Sequence, residues 1–259
     1  PIVEAADAVR QGDLDVDLVV NSRDEFGDLA DKFSGVVATL RRQATDLERA
    51  EAETTELLQS VMPQRLVQQY QSGDRDISEA LSNATLVVIS VEEPDVAEAR
   101  DQEAIAEHTV AVSAGMSSLA ERHGLEQTVS SATEYIAVAG LEVDDDEASK
   151  AIDFAVAVQG WLEQVGSTAG VSIVTRIGIA SGDVVTGVVG SGRVAFNVWG
   201  NPRRRATTLA SVAGTGEILV DPTVASHIGA EWAVEPVLGL VGLDGNPIEG
   251  WRVVGQKPN

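Results

Sequence analysis

The chain has 259 residues, a formal net charge of −23 and 44 % hydrophobic residues. That apolar content is enough for a sizeable folded core, while the acidic field repels phosphate backbones and anionic lipid surfaces and argues against nucleic acid as a partner. The absence of cysteine excludes disulfides, thiolate metal sites and thiol catalysis. His108, His123 and His227 are too widely spaced along the chain to suggest a metal cluster. No apolar run reaches the roughly 18 residues that a membrane span requires.

In chain order, Ile2, Ala5, Ala6 and Val9 recur at helical spacing and predict a short helix closed by Gly12-Asp13. An extended, alternating connector follows, LDVDLVVNSR, and Asp24 is a good N-cap for a second helix whose apolar stripe is Phe26, Leu29, Phe33, Val36 and Val37. The stripe continues as a heptad seam, with Phe33, Leu40, Leu47, Thr54 and Val61 seven apart and Val37, Ala44, Glu51 and Leu58 between them. Such a seam favours a parallel dimer. Glu51 and Thr54 weaken it locally, either as a register or switching device or as an imperfection of an ordinary helix.

Two short amphipathic helices joined by an extended connector, the second opening with Asp24-Glu25-Phe26-Gly27-Asp28-Leu29, resemble a HAMP domain over residues 1–50. The resemblance implies a parallel four-helix dimer that relays motion to an output domain. It also implies a membrane segment upstream of Pro1, so that the chain is the cytoplasmic portion of a membrane-anchored receptor. Residues 51–75 are expected to be a coiled-coil or helical linker, interrupted at Pro63 and closed at Gly73-Asp74.

Residues 76–259 alternate strand and helix signals. ATLVVISV (84–91) is a β-branched run fit for a central strand, and the Ala-rich stretch 95–122, with Ile105, Val112, Met116 and Leu119 at helical spacing, ends at His123-Gly124. A strand pair around LEQTVSS and EYIAVAGL is followed by a helix from Asp146 to Val165 and then by VSIVTRIGIASGDVVTGVVG, which reads as a hairpin with Gly178, Gly182, Gly187 and Gly190 at turns or close approaches. A helix near Arg205 to Ala213 precedes strands around EILVD and WRVVG, and Pro202 is expected to hold Asn201 extended and reshape the start of that helix. This order predicts an α+β fold, a ferredoxin-like βαββαβ unit with a mixed, mostly antiparallel sheet.

HGLEQTVSSATEYIAVAGL, RIGIASGDVVTGVVG and VAFNVWGNPRRRATTLAS, in this order, resemble the class III adenylyl/guanylyl cyclase homology domain. That family converts ATP to cyclic AMP at a dimer interface, with two aspartates holding divalent cations that offset charge building on phosphate oxygens. By the resemblance, Ser90 and Thr133 stand at the two metal positions, where a neutral hydroxyl is a weak substitute for a carboxylate. Val129 stands where a lysine contacts adenine, and Asn197 where an aspartate reads the adenine amino group, a change that keeps an acceptor. Arg204 replaces the ribose-orienting asparagine and Thr208 the arginine that stabilises the transition state. Both half-sites are thus altered, so neither a homodimer nor a heterodimer is expected to hold an intact one.

The resemblance therefore predicts a catalytically inactive cyclase fold that needs no cofactor, signals as a homodimer and acts on an unidentified protein partner. Two alternatives stay open. Glu92, Glu93, Asp95 or Glu134 could rescue binding of Mg or Mn; on strand geometry Glu92 keeps the face of Ser90 but lies about 6 to 7 Å along, while Glu134 is expected to point to the opposite face. Or the cleft senses a nucleotide or other anion without turnover, with Arg203, Arg204 and Arg205 as a phosphate clamp, against the plainer expectation that these arginines pair with nearby acids.

Overall fold

The computed structural model describes residues 2–16, 25–59, 62–74, 77–92, 102–128, 131, 133–141, 146–169, 172–189, 195–228 and 231–256. Val129, Glu93, Asp95 and Gly190 lie outside them. The chain divides into two compact units, Pro1–Val61 and Met62–Asn259.

The first unit contains helix α1 (Ile2–Arg10) and the long helix α2 (Glu25–Gln59). α2 runs unbroken through the position where the expected HAMP region gives way to its linker. Ala5, Ala30 and Val37 are buried, whereas Phe26, Leu29, Leu40, Leu47 and Leu57 remain exposed along α2. The connector after α1 is tied to α2 by Arg41, whose guanidinium donates to the Leu14 carbonyl at 2.6 and 3.1 Å and faces Asp15 at 3.0 Å.

The second unit opens with α3 (Gln64–Gln71), after Pro63, and β1 (Ser78–Glu92). Then come α4 (Gln102–Arg122), β2 (Glu126–Gln127), β3 (Glu134–Ala139), α5 (Glu147–Ala169), β4 (Val174–Val189) and β5 (Ala195–Trp199). The chain ends with α6 (Asn201–Val212), β6 (Ile218–Val220), α7 (Pro222–His227), β7 (Trp232–Val237) and β8 (Gly250–Gln256). Among the described residues the sheet order is β2-β3-β1-β4-β6-β8-β7, with β5 paired to β4. Every pairing is antiparallel except β4 with β6. This is the mixed, mostly antiparallel sheet of the α+β reading.

The sheet buries both faces, which explains its continuous β-branched runs. Val87, Ile89 and Val91 of β1 join Tyr135 and Ala137 of β3 and Ile177 and Ile179 of β4 under α4 and α5. Leu86 and Val88 point the other way, beside Ala180 and Gly178 of β4, and α6 packs on that face.

Two local expectations are corrected. Residues 174–189 form one strand rather than a hairpin: Gly182, at φ 152°, bends it opposite Ala84, where β1 shifts register between Leu81 and Ala84. The hairpin is instead β4–β5, with Val185 opposite Trp199. Pro202 does not displace the helix start either, because it falls in the first turn of α6, where its missing N–H has no helical acceptor to lose.

Gly178 sets how closely α6 approaches. A Cβ there would lie 2.0 Å from the Ala206 carbonyl oxygen and 2.5 Å from the Ala210 nitrogen, both backbone atoms that cannot rotate away. Gly178→Ala is expected to destabilise the second unit by about 3 kcal/mol. Gly160→Ala on α5, where a Cβ would meet nothing within 4 Å, should instead stabilise by about 0.8 kcal/mol. Chemical denaturation of the two variants checks both signs.

Candidate functional site

The first group of site residues gathers on one edge of the α6 face. Ser90, near the end of β1, has Glu134 of β3 directly opposite on one side and Arg176 of β4 on the other. Directly opposed residues point to the same face, so Glu134 shares the face of Ser90, contrary to the sequence expectation. Glu92, two residues on, also keeps that face, and its carboxylate is taken up in an ion pair with Arg176. Thr133 precedes β3 in a bend, exposed, and its carbonyl accepts the Val91 N–H at 3.0 Å. Ser131 closes this bend: its hydroxyl accepts the Glu134 N–H at 3.1 Å. Ser90 and Thr133 are therefore neighbours across the β1–β3 edge. The sequence reading passed over Arg176; its only signal there was alternation along RIGIA, which places it on the face of Gly178.

Among the described residues, no three His, Cys, Asp or Glu side chains converge in a way that could hold a metal ion. Glu92 and Glu134 are the carboxylates that flank Ser90, and the Arg176 guanidinium already neutralises the first.

The second group stands on β5 and α6. Asn197 Oδ1 accepts two hydrogen bonds, from the Val198 N–H at 2.9 Å and from Arg203 Nη1 at 2.7 Å. A carbonyl oxygen has two lone pairs, so the acceptor that could read an amino group is filled by the chain itself. Arg203 also donates to the Val198 carbonyl at 3.2 Å. The three arginines diverge rather than converge on a common point. Arg204 donates to Asn201 Oδ1 at 3.2 Å, and Arg205 faces Asp221 Oδ2 at 3.2 Å. The Thr208 hydroxyl donates back to the Arg204 carbonyl at 2.8 Å, one helical turn earlier.

Sheet order, the close seat of α6 and the β4–β5 hairpin can now be set against known proteins. A family model described as the adenylate and guanylate cyclase catalytic domain matches residues 79–249. The chain belongs to this cyclase family. A HAMP domain model matches residues 2–42. An adenylate cyclase of Mycobacterium bovis is 29 % identical over 141 residues, 54 % of this chain and 32 % of that protein. An aggregation-specific adenylate cyclase of Dictyostelium discoideum is 35 % identical over 80 residues, 30 % of this chain and 6 % of that protein. The chain thus spans about a third or less of the curated relatives it matches.

Among solved structures, the guanylate cyclase domain of RhGC from Catenaria anguillulae, in complex with GTP, superposes with a TM-score of 0.62 at 20 % identity, covering 69 % of this chain and 100 % of that one. The adenylyl cyclase CyaB from P. aeruginosa gives 0.63 at 19 % identity, covering 70 % and 97 %. These likenesses establish the cyclase fold. No helix among the described residues is long and apolar enough to cross a membrane.

Behind the second group, α6, the start of α7 and the β7–β8 connection enclose a cleft of about 520 Å³. Asp221 forms its floor, 1 % exposed, with Oδ1 capping α7 through the Val224 N–H at 2.8 Å. Burial pushes its carboxyl above the ordinary 3.8, and the Val224 hydrogen bond and the Arg205 charge offset this only in part. A carboxyl raised in the fold holds its proton longer than in the unfolded chain, so its contribution to stability is lost as pH climbs from about 3.8 through the native value. Asp221→Asn keeps an N-capping side chain without the charge. Its stability relative to the parent should therefore rise with pH across that window and then level off, as read by denaturation at successive pH values; a difference that falls with pH would contradict the assignment.

Proposed function

We propose that this cyclase-family chain is a non-catalytic signalling module, a pseudocyclase whose HAMP region dimerises and relays motion to a cyclase-fold output domain acting through protein contacts. On this reading the natural protein is a membrane receptor anchored upstream of Pro1, and the described units face the cytoplasm. The observation that carries the proposal is the filled acceptor at Asn197: Arg203 and the Val198 N–H occupy both lone pairs of Oδ1. The metal edge supports it, since Ser90 offers a neutral hydroxyl beside a guanidinium already paired with Glu92. So does Thr208, whose short hydroxyl back-bonds its own helix where the family resemblance asks for an arginine. Each lost electrostatic contributor costs on the order of 10²-fold in rate, and several are lost together.

The geometry that favours a second reading, a metal-dependent cyclase converting ATP to cyclic AMP, is Glu134 directly opposite Ser90, with Glu92 on the same face. Such a site would hold Mg or Mn through these carboxylates, and the ions would polarise the reacting phosphate. The two readings part in one assay. Purified protein with ATP or GTP and Mn²⁺ should release cyclic nucleotide at the level of a mock preparation; release above it that Glu134→Gln abolishes would establish the second reading instead.

The dimer is supported by the apolar residues left uncovered along α2, among them Phe26 at 64 % exposure and Leu47 at 61 %. Apolar residues exposed to water gain by being buried against a second copy. Sedimentation should give a dimeric mass for the parent, and Leu40→Asp with Leu47→Asp should shift it to a monomer. A monomeric parent at concentrations of tens of micromolar would contradict the relay.

A further inference from the structure

The connection between β7 and β8 carries the chain's single Asp–Gly step, Asp244-Gly245. Such a step is where a polypeptide rearranges most readily without an enzyme, because glycine has no Cβ to shield its nitrogen from the preceding carboxyl. Asp244, Gly245 and Asn246 are all exposed, and Gly245 turns at φ 79°. Exposure alone favours the rearrangement; the hydrogen bonds around the step oppose it at both reacting groups. The Gly245 N–H donates to the Gly242 carbonyl at 2.9 Å, and the Gly242 N–H donates to the Asn246 carbonyl at 2.9 Å, which closes the turn. Below it Val241 bridges to Pro247, and the Ile248 N–H donates to the Leu240 carbonyl at 3.0 Å. The carboxylate is held as firmly as the nitrogen. Asp244 Oδ1 accepts the Asn246 N–H at 3.0 Å and Oδ2 accepts its side-chain amide at 2.9 Å, so one residue engages both oxygens. These bonds, the side-chain one first, hold the carboxyl below its ordinary 3.8.

We infer that Asp244-Gly245 is a backbone-isomerisation site that Asn246 holds closed. In the rearrangement the Gly245 nitrogen gives up its proton and bonds to Asp244 Cγ, while a protonated carboxyl oxygen leaves as water and a five-membered succinimide closes. Water then opens the ring at either carbonyl. One opening restores aspartate; the other leaves isoaspartate, with the chain running through Cγ and one methylene longer. Water lost in the first step is regained in the second, and nothing is oxidised or reduced. Asn246 works against both halves of ring closure, since it keeps the carboxyl an anion and, through its carbonyl, keeps the turn in which the Gly245 N–H is engaged. The turn also bears on α6: Gly242 sits against the Thr208 methyl, which would lie 3.3 Å from a Cβ at that position. A chain lengthened at 244 breaks the spacing on which the Gly242–Asn246 closure depends. The inference stands apart from the question of turnover, because it concerns the covalent state of one turn.

The test holds the full chain at physiological temperature and pH for weeks and follows isoaspartate at position 244 by peptide mapping with mass spectrometry. The folded parent should accumulate it at least tenfold more slowly than the same chain unfolded in guanidinium chloride. Asn246→Ala, an exposed substitution outside the core, should stay folded and accumulate it at least threefold faster than the parent. As the isomer grows in, a second, shifted Thr208 methyl resonance should grow with it. A folded parent that converts as fast as the unfolded chain would overturn the inference. So would a rate unchanged in Asn246→Ala, or an isomer that leaves the Thr208 methyl resonance in place. None of these results bears on cyclic nucleotide release, so the turn and the pseudocyclase reading fail or survive separately.

Discussion

The seat of α6 on the sheet is the constraint from which the functional face follows. Only a residue without a Cβ at position 178 lets the Ala206 carbonyl and the Ala210 nitrogen come so near β4. That approach puts Arg203 within reach of Asn197 on β5 and Arg205 within reach of Asp221 beyond β6. It also presents Arg204 and Thr208, one turn apart, to the cleft. The packing thus fixes which partners the α6 side chains reach.

Electrostatics on the two groups tells the same story. At the β1–β3 edge, a family site would gather negative charge for divalent ions; here a hydroxyl and a paired guanidinium stand beside Glu134. Metal binding needs ligand charge in excess, and the Arg176–Glu92 pair reduces it. On α6, arginines that look like a phosphate clamp in sequence are distributed over separate internal partners. The Arg204–Asn201 bond is exposed and adds little stability, but Arg203 and Arg205 are held by partly or fully buried partners.

Much of the fold was legible in the sequence because its signals are local. The β-branched run of β1 and the Ala-rich periodicity of α4 each specify a strand or a helix without reference to the rest of the chain. What sequence reasoning missed depends on pairing. Gly182 looks like a turn, yet it bends one long strand, because the partner strand changes register opposite it. Counting from Thr133 puts Glu134 on the face away from Ser90, but Thr133 lies in a bend before the strand begins; register, not sequence spacing, decides the face. Arg176 carried no motif of its own, and its place beside Ser90 emerges only from the β1–β4 ladder. Likewise the plainer expectation for the arginines, pairing within the chain, could be stated from composition but not assigned to partners.

The account rests on the proposal that the β1–β3 edge of this cyclase fold does not hold divalent ions with nucleotide. Electron paramagnetic resonance of Mn²⁺ titrated with a non-cyclisable ATP analogue reads that edge directly. Adding the protein should leave the spectrum of the Mn²⁺–analogue complex unchanged. A protein-dependent, ordered Mn²⁺ signal with one or two ions per chain would contradict it.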